Sequence, residues 1–246
     1  MATVKLPEAP VKASRISPKI AVFYGLPKVG KTEVLTQLPG CLILDTEGGS
    51  EMYDSMRLPI TCTADLIDVC NAIIAEGQKR HDAGKRGDDL FPYKYIAIDT
   101  LDKLEEFAEV SATVKYKNTT IGKNYTGKSV LELPNGGGYY YVRNELMDLI
   151  NKVSEVCPRL ILITHVKEKL LDKGGEQVKV NDISLTGKMG SIVCAKADVI
   201  GYLYRIAGQP GLKVSFETLE STVMGARVKY LAGQKFDFDW NKIYVD

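Results

Sequence analysis

The stretch Gly25-Leu26-Pro27-Lys28-Val29-Gly30-Lys31-Thr32 has the spacing G-x-x-x-x-G-K-[ST]. A turn of this kind gathers backbone N–H groups around one anion, and its lysine and hydroxyl add a cation and a metal ligand. Lys31 would meet the β- and γ-phosphates of a nucleoside triphosphate, and Thr32 would ligate Mg²⁺. Gly25, Leu26, Pro27, Lys28, Val29, Gly30, Lys31 and Thr32, with the following Glu33, form the candidate nucleotide-binding set. Two other runs end in side chains able to do chemistry. Tyr93-Lys94-Tyr95-Ile96-Ala97-Ile98-Asp99 ends in an acid, and Leu160-Ile161-Leu162-Ile163-Thr164-His165 in a histidine. Asp99 suits the Mg²⁺ shell, through water. ATP and Mg²⁺ are therefore the expected cofactors, with Lys31 and Asp99 as catalytic candidates.

Each of these groups needs an element to aim it. Residues 19–24, 41–44, 93–100 and 160–165 read as buried strands, with 59–62 as a further short one. Residues 33–38, 63–79, 101–116 and 139–156 read as helices, the second capped by Thr63 or Asp65. Strands alternating with helices imply an α/β fold, a mostly parallel central sheet flanked by helices. In such a sheet the carboxyl ends of the strands share one edge, which brings Asp99 and His165 to the phosphate loop. Runs at 198–205, 212–218 and 227–231 predict antiparallel strands at the C-terminal side. The domain plan is an extended arm over 1–18, an ATPase domain over 19–235 and an acidic, aromatic tail over 236–246, docked on the core.

Lys and Arg number 32 against 31 Asp and Glu, so any nucleic-acid surface must be local rather than a property of the whole chain. The five cysteines are scattered and none forms a C-x-x-C pair, which argues against a zinc site or a disulfide framework. That pattern fits a reducing cytoplasm. No apolar run is long enough to cross a bilayer, no signal core opens the chain, and no internal repeat is apparent.

Residues 118–138 form a long polar stretch, with Gly136-Gly137-Gly138 at its end. Around it lie Lys115, Lys117, Lys123 and Lys128, with Tyr116 and Tyr125 interleaved. Lysines among aromatics suit a single strand of nucleic acid, and a solvated mobile loop has the same local composition. Residues 166–185 suggest a hairpin turning at Lys173-Gly174-Gly175-Glu176.

Taken together, the phosphate loop, Leu44-Asp45-Thr46-Glu47-Gly48, the strand ending Asp99-Thr100 and the strand ending Thr164-His165 resemble the RecA/RadA superfamily core. The likeness spans residues 19–231 and extends to DnaB-type helicases. Bare cores of this length are most similar to bacteriophage single-strand annealing proteins and their ATP-binding relatives. No F-x-x-A polymerisation motif and no separate N-terminal DNA-binding domain is recognisable. The resemblance implies a RecA-like P-loop ATP hydrolase stimulated by DNA. Glu47 would polarise the attacking water, and His165 would sense the γ-phosphate. The segments around 115–138 and 166–185 would take the places of the DNA-contacting loops. Arg205, Arg227 and Lys229 become candidates to complete a neighbouring subunit's site, within a filament or a ring. Single-stranded DNA is the implied partner, with a single-strand-binding protein as a further one and annealing or strand exchange in recombination as the implied role. A ring-forming motor and a regulatory ATPase without a DNA role are the competing readings.

Overall fold

Large apolar side chains alternate along the buried runs, and this alternation sets the layers. In β1 (Ile20–Gly25), Val22 and Tyr24 join one core while Ala21 and Phe23 join another on the opposite face. The same alternation holds in β2 (Cys41–Asp45), β4 (Tyr95–Asp99) and β5 (Arg159–Lys173). The first face is covered by α2 (Thr63–Asp82), α3 (Leu101–Lys117) and α4 (Gly138–Glu155). The second is covered by α1 (Lys31–Thr36) and C-terminal segments. The computed structural model describes residues 6, 8–13, 15–173 and 176–245.

β3 (Arg57–Pro59), β2, β4, β5, β1 and β7 (Val199–Tyr204) lie side by side in that order and run parallel. β8 (Lys213–Ser215) then adds antiparallel to β7. The protein is thus an α/β fold with a mostly parallel sheet flanked by helices. β5 lies between β1 and β4, pairing Gly25 with His165 on one side and Asp99 with Ile163 on the other. Beyond His165 the strand leaves the sheet and pairs antiparallel with β6 (Glu176–Ile183), forming the expected hairpin. The expected turn at Gly174-Gly175 lies outside the described residues. After β6 comes α5 (Met189–Lys196).

Several expectations are corrected. The third strand is Arg57–Pro59 rather than 59–62, because the Asp65 carboxylate accepts from the N–H groups of Thr61 and Cys62 and starts α2 there. Residues 118–138 are a packed lobe, not a free loop. Val130 is fully buried under α3 and α4, and a side chain at Gly138 would collide with the Val130 carbonyl. Gly138 is therefore required for close approach, not for motion. Residues 227–231 form a turn, and the last strands are β9 (Gly225–Ala226), paired with β7, and β10 (Lys235–Asp237), paired with β8.

Residues 236–245 belong to the second core. β10 edges the sheet, and Trp240 opens α6 (Trp240–Ile243) only 7% exposed. Its indole N–H donates to the Val34 carbonyl at 2.6 Å, and its ring meets Phe23 edge-on. Residues 1–5, 7, 14 and 246 of the arm and tail lie outside the described residues, while Ser17 is buried and accepts from the N–H of Val245. Trp240→Ala is expected to lower the unfolding free energy by about 3–5 kcal/mol, measured by urea titration. A loss below about 1 kcal/mol would show that this segment adds nothing to the core.

Candidate active site

The carboxyl ends of β1, β2, β4 and β5 converge on a cleft of about 480 Å³ lined by Lys28, Lys31, Thr32, Glu47, Tyr53, Asp99 and His165 among others. β1 ends at Gly25, packed so closely on the Leu203 carbonyl that a side chain there would clash. The chain then turns through left-handed conformations at Lys28 (φ 62°) and Gly30 (φ 117°). α1 is only six residues long. An anion here would be held by the N–H groups of the loop and first helical turn together with Lys31, rather than by a long helix dipole.

Lys31 is 6% exposed, and its ammonium donates to the carbonyls of Gly25 (3.2 Å) and Leu26 (3.0 Å). Burial lowers its pKa from the ordinary lysine value, against the raising influence of Asp99, Asp102 and Glu47. Thr32 Oγ1 donates to Asp99 Oδ2 at 2.6 Å. Burial pushes the Asp99 carboxyl up to about 6, with Asp45 and Glu47 adding and the Thr32 bond and Lys31 opposing. A hydroxyl and a buried carboxylate side by side form an oxygen donor pair suited to Mg²⁺. Thr32 and Asp99 would hold the ion, which would neutralise phosphate charge and favour the carboxylate's ionised form.

Glu47 is placed by a staple that the sequence did not reveal. Asp45 accepts from the N–H groups of Glu47, Gly48 and Ser50 and from the Ser50 hydroxyl, curling the chain after β2. Burial acts to raise the Asp45 pKa, but these bonds outweigh it and hold it below the ordinary value. Thr46 ties this turn to β4 by accepting from Thr100 N–H (2.7 Å) and donating to the Thr100 carbonyl (3.0 Å). The Thr100 hydroxyl then donates to Glu47 Oε1 at 2.8 Å.

His165 emerges between the phosphate loop and Asp99 because β5 lies between β1 and β4. Its Nδ1 lies 2.8 Å from Asp102 Oδ2, in the first turn of α3. That bond raises the His165 pKa; at Asp102 it prevails over burial and leaves the carboxyl pKa lowered. Ligand atoms of Glu47, Asp102 and His165 all lie within 4.8 Å of one another. The sequence-nominated Lys31, Thr32, Glu47, Asp99 and His165 thus share one cleft. Asp45 and Thr100, named in the motifs but given no role there, line it too, Tyr53 joins unforeseen, and Asp102 holds His165 from α3. A helix-starting acid such as Asp102 has an ordinary role at the helix N-terminus, so only the fold reveals its histidine partner.

Arg205 sits beside the phosphate loop of its own chain. Its Nε donates to the Val29 carbonyl at 2.8 Å, and its guanidinium lies 3.6 Å from Glu33. β7 runs beside β1, so the residue after it reaches the phosphate loop of the same chain. Arg227 and Lys229 are exposed at the other end of the sheet, beside the start of β7, and Arg227 donates to the Ala195 carbonyl. Tyr116 requires correction. It is 8% exposed and packed against Tyr125 and Tyr141 in the core, so it offers no face to a base. Lys115 pairs with the buried Glu145 carboxylate. Lys117 lies over the half-buried Tyr125 ring, while Lys123 and Lys128 are exposed.

Among the described residues, no helix is long and apolar enough to cross a membrane. No curated protein matches the sequence. The family model of the AAA domain matches residues 17–228, from the serine that meets the C-terminal segment to the turn after β9. That span holds the entire cleft, and the chain therefore belongs to the AAA-domain family of P-loop ATPases.

Proposed function

We propose that this ATPase is a RecA-like protein that binds single-stranded DNA under the control of ATP and promotes annealing or strand exchange in recombination. The observation that carries this reading is β5. It is one strand of 15 residues that passes between the phosphate loop and Asp99, presents His165 to the cleft and continues as one arm of the β5–β6 hairpin. A side chain that lines the cleft is thereby in direct covalent continuity with the hairpin. Lys123 and Lys128, exposed on the neighbouring lobe, add local positive charge to a chain that is nearly neutral overall. Self-association, with Arg227 and Lys229 reaching a neighbour's nucleotide, is part of the same reading. Restored turnover on mixing Lys31→Ala with Arg227→Ala protein would mark such shared sites.

The test is ATP turnover with and without single-stranded DNA over a range of salt, together with DNA affinity in ATP and in ADP. DNA should stimulate wild-type turnover, and ATP should tighten DNA binding. His165→Ala protein should bind DNA about equally in both nucleotides. Turnover indifferent to DNA at every salt concentration would leave a regulatory ATPase, and closed rings that unwind duplexes would point to a motor.

A further inference from the structure

Between the start of α4 and the segment joining β6 to α5 lies a cleft of about 410 Å³, remote in sequence from the phosphate loop. Tyr139, Arg143, Thr186 and Lys188 line it, and no carboxylate does. Arg143 lies 5.6 Å over the Tyr140 ring, and among the described residues neither Arg143 nor Lys188 forms a salt bridge. Tyr139 and Tyr140 are 44% and 56% exposed, large rings facing solvent at adjacent positions. Gly136 and Gly187 adopt left-handed φ values of 69° and 55°, and a side chain at either would stand 3.6 or 3.5 Å from the Tyr139 ring. The ring therefore bridges the two walls. The wall at Thr186 is anchored to α3, because its N–H donates to both oxygens of Glu105 (3.0 and 3.1 Å). The same helix holds His165 through Asp102.

We propose that this cleft seats a single strand of nucleic acid, with phosphates against Arg143 and Lys188 and a base on Tyr139. The inference rests on the DNA-binding reading above and moves its centre away from the lysines of residues 115–128. Unpaired cations favour phosphate, and exposed rings favour bases that a duplex would keep stacked. An acidic peptide would use the cations and leave the ring idle.

The experiment is fluorescence anisotropy of a labelled oligothymidylate with the full chain and ATP. Arg143→Gln combined with Lys188→Gln should weaken binding at least tenfold. It should also flatten the log–log salt slope by about 0.7 for each phosphate that is no longer neutralised. Tyr139→Ala should weaken binding about fivefold or more with the slope unchanged. Arg143→Lys with Lys188→Arg keeps both charges and should restore the wild-type slope, which separates lost charge from a misfolded surface. If the wild type binds the strand and the neutralised and Tyr139→Ala proteins bind it equally tightly at every salt, this cleft is not the seat and the broader DNA reading stands. If the wild type itself fails to bind at low salt, the DNA reading falls and this inference with it.

Discussion

Lys31→Ala protein is expected to turn over ATP about a thousandfold more slowly than wild type, or worse. The loop keeps its backbone donors in this variant, and what it loses is the one buried cation held at the Gly25 and Leu26 carbonyls. Charge moving onto the β–γ bridge during phosphoryl transfer then loses its buried side-chain cation. Burial disfavours the charged lysine, so its removal relieves a cost that offsets the two lost hydrogen bonds, and the thermal midpoint should change little. Single-turnover hydrolysis and a thermal melt of the same preparation check both halves. Undiminished hydrolysis in folded protein would remove Lys31 from the chemistry.

Glu47→Gln should separate binding from chemistry. The amide oxygen can still accept from the Thr100 hydroxyl, and the Asp45 staple still shapes the turn, so nucleotide affinity should change by no more than a few-fold. A glutamine cannot take a proton from water, and turnover should fall by about 10²–10⁴. Equilibrium titration with a fluorescent nucleotide gives the first quantity and steady-state phosphate release the second. Wild-type turnover would assign the proton to another group. An equal fall in affinity would make Glu47 a ligand-holding residue instead.

The parts of this site that could be read from the sequence are those whose geometry is local. The phosphate loop needs its glycine, lysine and hydroxyl within one turn, so spacing alone carries it. Asp99 and His165 were legible because an apolar run ending in a polar residue delivers it to the carboxyl edge of a parallel sheet. Asp102 and Arg205 were not, because their partners lie across the fold, 63 and 176 positions away in the chain. Tyr116 was misjudged for a different reason. Its lysine neighbours suggest a surface, yet with Ala108 and Ala112 it continues the buried stripe of α3 at intervals of four. The 227–231 run shows the same weakness, since short apolar stretches fit turns as well as strands once neighbouring elements supply the pairing.

β5 has one more mechanical property. Inside the sheet it is clamped on both sides, by β1 and β4, and beyond residue 165 its one strand partner in the ladder is β6. Near its root the hairpin is tied down, where Asn181 bonds to Ser221 and Val223 and Val180 is buried, and beyond the Lys169–Val180 pair the arm is a short cantilever. At about 3.3 Å per residue the arm from residue 170 to 173 reaches about 13 Å, so a tilt of about 10° at its root carries the backbone of residue 173 through about 2 Å. A rearrangement at His165 too slight to resolve in the cleft would be magnified at the far end of the arm, where a distance probe can record it.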